Sequence, residues 1–480
     1  MTTFYAASIE QLLGEAEALV QAQRHEEATE RARQVLMQQA RNPRAHTVLA
    51  ASLLLRDQHA EALVHVESAL RSDRVNPRLH FMAALCLGPL GHVEEAMASY
   101  RRALQYRPEY LEARANLGYL LETVGRPAEA ADCYRQVLEA QPREWFCLNR
   151  LGYCERILGR PAEGAKLLER AMALRPLAAT ANELALAHLN LDRKPEAIAM
   201  FRRAVELDPT FLAAWCNLAK VLYLEYVVAE GAGRKPDAAP VLDCFARVLA
   251  IDPTNVEFAY LRDCVAGVRA DRPPDEYISA LFDRFAPRFD DKLVGELRYR
   301  GPELLADFMR TFLESRTALR VVDLGCGTGL SGERLREAAR TLVGVDLSPA
   351  MLERARARGI YDKLVQEEIA AYLGRCDAGS FDVAVALEVF NYVGDLAPVL
   401  RESARALAEG GRMVFSVELA PAPDADFVLL PAARYAHSTR YVEAVARDAG
   451  FDVADSKAVT LRQEAGEPVA GYLFALDKPR

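Results

Sequence analysis

Small residues recur through the N-terminal half of the chain at Ala28, Ala62, Ala96, Ala130 and Gly164, each step being 34 residues by subtraction, and the series continues at Ala197 and, after an insertion, at Ala238. A fixed period of this length means a stack, because a unit so short cannot bury its own apolar face and needs its neighbours to complete a core. The text around these anchors repeats as well: Gly125-Arg126-Pro127-Ala128-Glu129-Ala130, Gly159-Arg160-Pro161-Ala162-Glu163-Gly164 and Gly233-Arg234-Lys235-Pro236-Asp237-Ala238. Glycine ends one helix in a left-handed cap, and proline opens the next where its missing N–H costs nothing. Pro108, Pro142, Pro176, Pro209 and Pro253 then close the second helix of each unit, and Ala84, Gly118, Gly152 and Ala185 stand where paired helices must approach closely. The pattern predicts about seven helix-turn-helix repeats between roughly residues 8 and 262. The seventh is distorted by the insertion Val227 to Arg234, in which Glu230-Gly231-Ala232-Gly233 reads as a loop.

Period, small residues and prolines agree, and over about half of its length the chain resembles the tetratricopeptide family. It departs from that pattern in the first two repeats, where proline comes late, at Pro43 and Pro77. The resemblance implies an all-α solenoid whose concave groove takes a peptide or a partner protein. Nothing in this half reads as catalytic. Tyr100, Tyr119, Tyr134, Trp145 and Trp215 are open to two readings, groove lining or packing at helical spacing. His25, His46, His59, His65, His80 and His92 share no metal-ligand spacing, and no metal site is expected.

Composition narrows the remaining classes. With 480 residues, 51% hydrophobic and 26% charged, the chain suits two or three packed domains. Its net charge is −9 and no block of Lys or Arg is long enough to track a phosphate backbone, so no nucleic-acid partner is expected. Nine cysteines are scattered singly without a C-x-x-C pair and read as buried reduced thiols. The start, Met1-Thr2-Thr3-Phe4, lacks a cationic and an apolar leader region, and no stretch reads as the roughly 18 uncharged residues of a membrane span. The expectation is a cytoplasmic protein with no membrane contact.

After the repeats fail, Arg272-Pro273-Pro274 punctuates a linker, followed by Phe282-Asp283-Arg284-Phe285-Ala286-Pro287-Arg288-Phe289-Asp290 and Leu297-Arg298-Tyr299-Arg300-Gly301-Pro302. Val321-Val322-Asp323-Leu324 then reads as a buried strand, Gly325-Cys326-Gly327-Thr328-Gly329 as a glycine turn, and Thr341 to Val345 as a strand ending in Asp346. This is a nucleotide-type βαβ unit, with two readings. Gly327-Thr328-Gly329-Leu330-Ser331-Gly332 matches G-x-G-x-x-G, the dinucleotide fingerprint, while Asp323 to Gly329 reads D-x-G-x-G-x-G. A third strand near Lys363 to Gln366 runs to Glu367-Glu368-Ile369, and a fourth, Phe381 to Glu388, to Val389-Phe390-Asn391-Tyr392-Val393. The turn Gly410-Gly411, a strand Met413 to Glu418, a helix Tyr441 to Ala449 and strands Asp452 to Leu461 and Val469 to Leu476 complete the series.

From about residue 300 to 480 this order resembles the class I, Rossmann-like S-adenosylmethionine-dependent methyltransferases, and the lead-in resembles that of methyltransferases carrying N-terminal tetratricopeptide repeats. The expected architecture is therefore in two parts. An all-α solenoid over 1–262 is followed by a linker and cofactor lid over 263–300. An α/β domain over 301–480 then holds a mostly parallel seven-stranded sheet with an antiparallel edge hairpin.

The resemblance also implies a site for S-adenosylmethionine. Asp323 would face the cationic amino end, with Gly325, Cys326, Gly327 and Gly329 forming the turn. Asp346 would accept from the ribose hydroxyls, and Leu347, Met351, Ile369 and Leu387 would line the pocket. Glu368, or else Glu367, would stand beside the adenine amino group; Tyr299 is either a lid or a packing residue. Tyr392, in the methyl-facing loop, and His437, as a base, are the catalytic candidates, with Arg434 and Tyr435 as substrate residues. The alternative for the last group is that Ser438 caps a helix and Tyr435 packs. No Asn-Pro-Pro-Tyr follows the fourth strand, which argues against the amide and exocyclic-amine methyltransferases. Three functions remain open: an active methyltransferase whose solenoid recruits its acceptor, an inactive domain on a binding scaffold, and a small-molecule methyltransferase tethered by its repeats. The acceptor atom, oxygen, nitrogen or carbon, is left open.

Overall fold

A computed structural model describes residues 2–480 except 269, 315, 422, 423, 465 and 466. Fifteen helices run from Thr2 to Val265, the first fourteen in consecutive pairs, giving seven repeats. The helices ending at Tyr106, Ala140, Leu174, Leu207 and Ile251 each stop two residues before the closing proline. Ala28, Ala62, Ala96, Ala130 and Ala197 are fully buried. At Gly164 a Cβ would lie 2.7 Å from the Gly152 carbonyl oxygen, so this pair of helices touches backbone to backbone and tolerates no side chain there.

Two details of the repeats differ from expectation. Pro43 and Pro77 are not late closures: each opens the following helix, with Asn42 accepting from the Ala45 N–H at 3.0 Å and Asn76 from the Leu79 N–H at 3.3 Å. In the seventh repeat the insertion extends the first helix, Leu212–Gly231, instead of forming a loop at Glu230-Gly231. The helix stops only before Gly233, whose φ is +72°. The next helix begins at Ala239, so Ala238 is its cap residue, and Val241 takes the buried place. Leu212–Gly231 is long and apolar enough, at 20 residues and mean hydropathy 1.3, to meet the length and composition of a membrane span, although Lys220, Glu225 and Glu230 interrupt it.

The chain divides into two compact units, one up to Val221 and one from Leu222. This differs from the boundary at 262, and side-chain contacts explain why. The Tyr223 hydroxyl donates to the Pro431 carbonyl at 2.5 Å, Arg284 pairs with Glu257 at 2.9 Å, and the rings of Tyr260 and Tyr277 lie 4.8 Å apart. The last repeat helices are thus tied to the helix Asp275–Phe285 and, through Tyr223, to the α/β part of the chain.

The second unit is built on a nine-stranded sheet: β1 Leu319–Leu324, β2 Ala339–Asp346, β3 Lys363–Gln366, β4 Phe381–Ala386, β5 Leu407–Leu419, β6 Phe427–Leu430, β7 Arg434–His437, β8 Asp452–Glu464 and β9 Glu467–Asp477. Strands β3-β2-β1-β4-β5 pair in parallel, β9 runs antiparallel against β5, and β8 antiparallel against β9. These are the seven strands and edge hairpin expected. The β6–β7 hairpin is an addition to that expectation; β7 joins the far end of β5 through Glu418↔Ala436 and Leu419↔His437. Alternate residues of the central strands feed two cores, Val322 and Ala384 one face, Val321, Val383 and Val385 the other. Burial on both faces is why these strands read as continuous apolar runs. The strand order reverses between β1 and β4, which opens a crevice at their carboxyl ends.

Candidate active site

The crevice is a cleft of about 1040 Å³ reckoned out to its mouth. Its floor is the glycine turn after β1. Gly325 has φ +64°, and a Cβ there would lie 2.4 Å from Val389 Cγ2, so the turn can press against the loop after β4 only as glycine. Gly325, Cys326 and Gly327 line the cleft, whereas Gly329 instead lies against Tyr361 and Arg358. Asp323 sits behind the turn and is not on the cleft wall. It is 2% exposed, accepts from the Tyr361 hydroxyl at 2.6 Å, and burial pushes its carboxyl up to about 7. Tyr361, absent from the sequence expectations, anchors the turn; no motif marks it, since it lies 32 residues beyond Gly329 in the chain.

Asp346, at the end of β2, lines the cleft and accepts from the Gly327 and Ser348 N–H groups, both at 2.9 Å. Burial raises its pKa and these amides partly offset that. Leu347, Met351, Ile369 and Leu387 supply apolar wall. Glu368 faces the cleft while capping the helix Ile369–Arg375 through the Ala371 N–H at 2.8 Å; Glu367 instead pairs with Arg375 at 2.5 Å, outside the cleft wall.

The segment before β1 forms the opposite wall with Phe282, Phe289, Leu293 and Tyr299. Two acids pin it. Asp283 accepts from the Ser348 hydroxyl at 2.5 Å and the Ala350 N–H at 3.2 Å, and Asp290 accepts from the Thr328 hydroxyl at 2.5 Å and from Arg358 at 2.6 Å. The interleaving of acids and aromatics in Phe282-Asp283 and Phe289-Asp290 is the sequence signal for this docking, and the aromatics alone do not convey it.

Tyr392 lines the cleft and meets Phe282 edge-on, ring centres 5.3 Å apart. Beside it stands a carboxylate that sequence reasoning missed. Glu388 lines the cleft in a left-handed conformation, φ 57°, its own N–H donating to the Ser416 hydroxyl at 2.9 Å. Such a conformation in a non-glycine residue is costly and is held by its surroundings. Arg462, 3% exposed, donates to Glu388 at 2.5 Å, to Glu418 at 2.8 Å and to Glu464 at 3.0 Å. Burial raises the Glu388 pKa while Arg462 pulls it back.

The three residues assigned near the late helix are not brought to the cleft wall. Arg434 is paired through Nε with Glu418 at 3.2 Å and through a terminal nitrogen with Glu464 at 2.8 Å, away from the cleft wall. Tyr435 is fully buried and donates to the Ala270 carbonyl at 2.9 Å. His437 is fully buried against Tyr441, bonded through Nε2 to the Gly394 carbonyl at 2.9 Å, and burial lowers its pKa to about 4. Ser438 caps the helix Thr439–Asp448. The cause is the additional hairpin: it turns this stretch into β7, with side chains packed inward.

The wall chemistry separates the two cofactor readings left open by the motifs. A dinucleotide brings an anionic pyrophosphate to the glycine turn, yet Asp346 and Glu388 are the charged side chains of the cleft wall beside it, and Arg358, which donates to the Thr328 carbonyl at 2.6 Å, is not on that wall. Carboxylates around an apolar sandwich suit a cationic ligand with a ribose and a base, and at Gly327 a Cβ would meet nothing nearer than Phe289 at 3.8 Å, which leaves the backbone open to a ligand. The residues present fit S-adenosylmethionine.

Comparison with known proteins adds the family. The family model described as a methyltransferase domain matches residues 322–415, and tetratricopeptide repeat models match 90–145 and 178–221. The chain is 30% identical to the ubiquinone biosynthesis O-methyltransferase of Neisseria meningitidis serogroup C over 207 residues, 39% of this chain and 86% of that protein. It is 34% identical to the enzyme of the same name from Hahella chejuensis over 115 residues, 22% of this chain, and so spans 47% of that relative's length. Among solved structures, the C-terminal part of a TPR repeat-containing protein from Cytophaga hutchinsonii aligns at 14% identity over 52% of this chain and 98% of its own, with a TM-score of 0.43. By its strand order and its coverage of the Neisseria relative, this chain belongs to the Rossmann-like, S-adenosylmethionine-dependent methyltransferase family, in a form that carries N-terminal tetratricopeptide repeats.

Proposed function

We propose that this chain is an active S-adenosylmethionine-dependent methyltransferase that methylates an oxygen atom, and that its repeats bind a protein or peptide partner. The observation that carries the reading is the pair of carboxylates, Asp346 and Glu368, set on either side of Leu347, Met351 and Ile369 in one cleft with the glycine turn. Asp346 would take the ribose hydroxyls and Glu368 the adenine amino group, each keeping lone pairs free beyond its backbone bonds. Asp323 acts one step back, fixing the turn through Tyr361. The bound cofactor supplies a methyl group activated by its sulfonium. Phe282, Phe289 and Tyr299 exclude water from that end of the cleft, and holding the acceptor close and in line is the main task left to the protein.

Oxygen as acceptor is supported by the O-methyltransferase names of the relatives and by Glu388. Its Oε2 is held by Arg462 and by Asn391 at 3.3 Å, so Oε1 is the acceptor of the hydroxyl proton. Tyr392, whose pKa is raised by burial, stays protonated and orients the acceptor. The direct test is calorimetric binding of S-adenosylmethionine to the full chain beside NADH and beside Asp346→Ala. Micromolar binding that the variant loses, with none for NADH, is the expected result. Silence toward S-adenosylmethionine sinks the reading in favour of a binding scaffold, and NADH binding reassigns the cofactor.

A further inference from the structure

The segment that joins the last repeat helix to the catalytic domain does more than connect them. Its main chain is bolted to the acceptor-side loop: the N–H groups of Gly394 and Asp395 donate to the Asp271 carbonyl at 2.8 and 3.2 Å, and the Tyr435 hydroxyl holds the preceding carbonyl of Ala270. The fit is tight enough that a Cβ on Gly394 would stand 2.7 Å from the Asp271 oxygen. From that anchor the segment crosses to the other end of the cleft, where the Ser279 hydroxyl donates to the Leu347 carbonyl at 3.3 Å. Between the two anchors, Arg272, Pro273 and Asp275 line the cleft together with Glu368 and Ile369. The Arg272 guanidinium lies 3.4 Å from Glu368 Oε1 and 3.0 Å from Asp275.

We propose that Arg272 is a nucleoside-binding residue, which closes the base end of the cleft by lying over the adenine while paired to Glu368. This rests on the cofactor reading above. Three observations point the same way. The Arg272 side chain is 50% exposed, so its ion pairs are rim pairs of little worth to stability and leave much of the guanidinium open to a ligand at the cleft. The guanidinium is planar and weakly hydrated and stacks on aromatic faces, which an adenine held against Ile369 and Met351 would offer. Glu368 Oε2 is spent on the Ala371 N–H, so Oε1 must serve both the base's amino group and Arg272, and a carboxylate oxygen has lone pairs for both. A backbone pinned at Asp271 places the guanidinium there before a ligand arrives, which limits the ordering cost of binding.

The experiment measures S-adenosylhomocysteine and adenosine on the full chain by calorimetry and by stopped-flow dissociation, for wild type, Arg272→Ala and Arg272→Lys. The expected result is at least a tenfold loss of affinity in Arg272→Ala, seen mainly as faster dissociation, and of similar size for both probes because adenosine keeps the base and drops the amino-acid end. Arg272→Lys restores less than half of the loss on a logarithmic scale, since an ammonium pairs with Glu368 but does not stack. Arg272→Ala within twofold of wild type for both probes overturns the proposal while leaving the cofactor reading intact. So does full rescue by lysine, which reduces Arg272 to a charge on Glu368. A wild-type chain that binds neither probe sinks the cofactor reading, and this proposal with it.

Discussion

Replacing Arg462 by methionine tests the charge cluster that holds Glu388. Arg462 is 3% exposed and serves three carboxylates whose side chains are 15% (Glu388), 9% (Glu418) and 39% (Glu464) exposed. The Glu464 contact is screened by solvent and adds little. Glu418 keeps Arg434 at 3.2 Å, but Glu388 loses the cation paired with it and retains Asn391 at 3.3 Å. Breaking one buried pair and leaving the partner charged costs about 3–5 kcal/mol. Both tryptophans, Trp145 and Trp215, lie in the first compact unit, so intrinsic fluorescence does not report on this cluster. Hydrogen exchange of peptides from β8 and β9 does. At about 1.4 kcal/mol per factor of ten, a loss of about 3 kcal/mol appears as exchange faster by two orders of magnitude, when the rates follow the opening equilibrium. The sign with pH is fixed. Burial already raises Glu388, and losing Arg462 raises it further, so the carboxyl's contribution is complete below its unfolded value and lost as pH rises through the folded one. The ratio of variant to wild-type exchange rates is therefore small near pH 5 and large at pH 8, and adding Glu388→Gln to the variant shrinks it. A ratio under ten at pH 8, or one that ignores pH, refutes the account of a buried pair.

Asp323, pushed up to about 7 from an ordinary 3.8, is protonated in the fold where the unfolded chain is ionised, so it makes stability fall by up to about 1.4 kcal/mol per pH unit between those values. Asp323→Asn should flatten that slope in exchange-derived stability measured from pH 4.5 to 7, and an unchanged slope removes Asp323 as its source. Gly164→Val forces a branched side chain toward a carbonyl 2.7 Å from its Cβ and should cost about 1–3 kcal/mol of solenoid stability. Here the fluorescence of Trp145, one helix away, is the right probe, and an unchanged urea midpoint shows that the helix pair can spread.

Much of this protein is legible without coordinates because its signals are local and periodic. A 34-residue period, Gly-x-Pro turns and closing prolines name helix pairs, since each acts within a few bonds of the residue that causes it. The strand, glycine turn, strand and acid order likewise points to Asp346 and to the turn that Gly325 alone can make against Val389. The expectations that failed did so for one kind of reason. Whether Gly231 breaks a helix, whether Arg434 to His437 is an open loop or a packed strand, and whether Asp323 faces the ligand or Tyr361 all depend on partners far off in sequence. The same holds for the residues that sequence reasoning missed: Glu388 meets Arg462 across 74 positions, Asp290 meets Arg358 across 68, and Arg272 meets Glu368 across 96. Sequence alone determined the repeat helices, the central strands with their order, and a glycine turn of nucleotide-binding type followed by an acid. The tertiary structure decided which charges are paired, which tyrosines are buried and which side chains reach the cleft, because burial and ion pairing are set by neighbours in space.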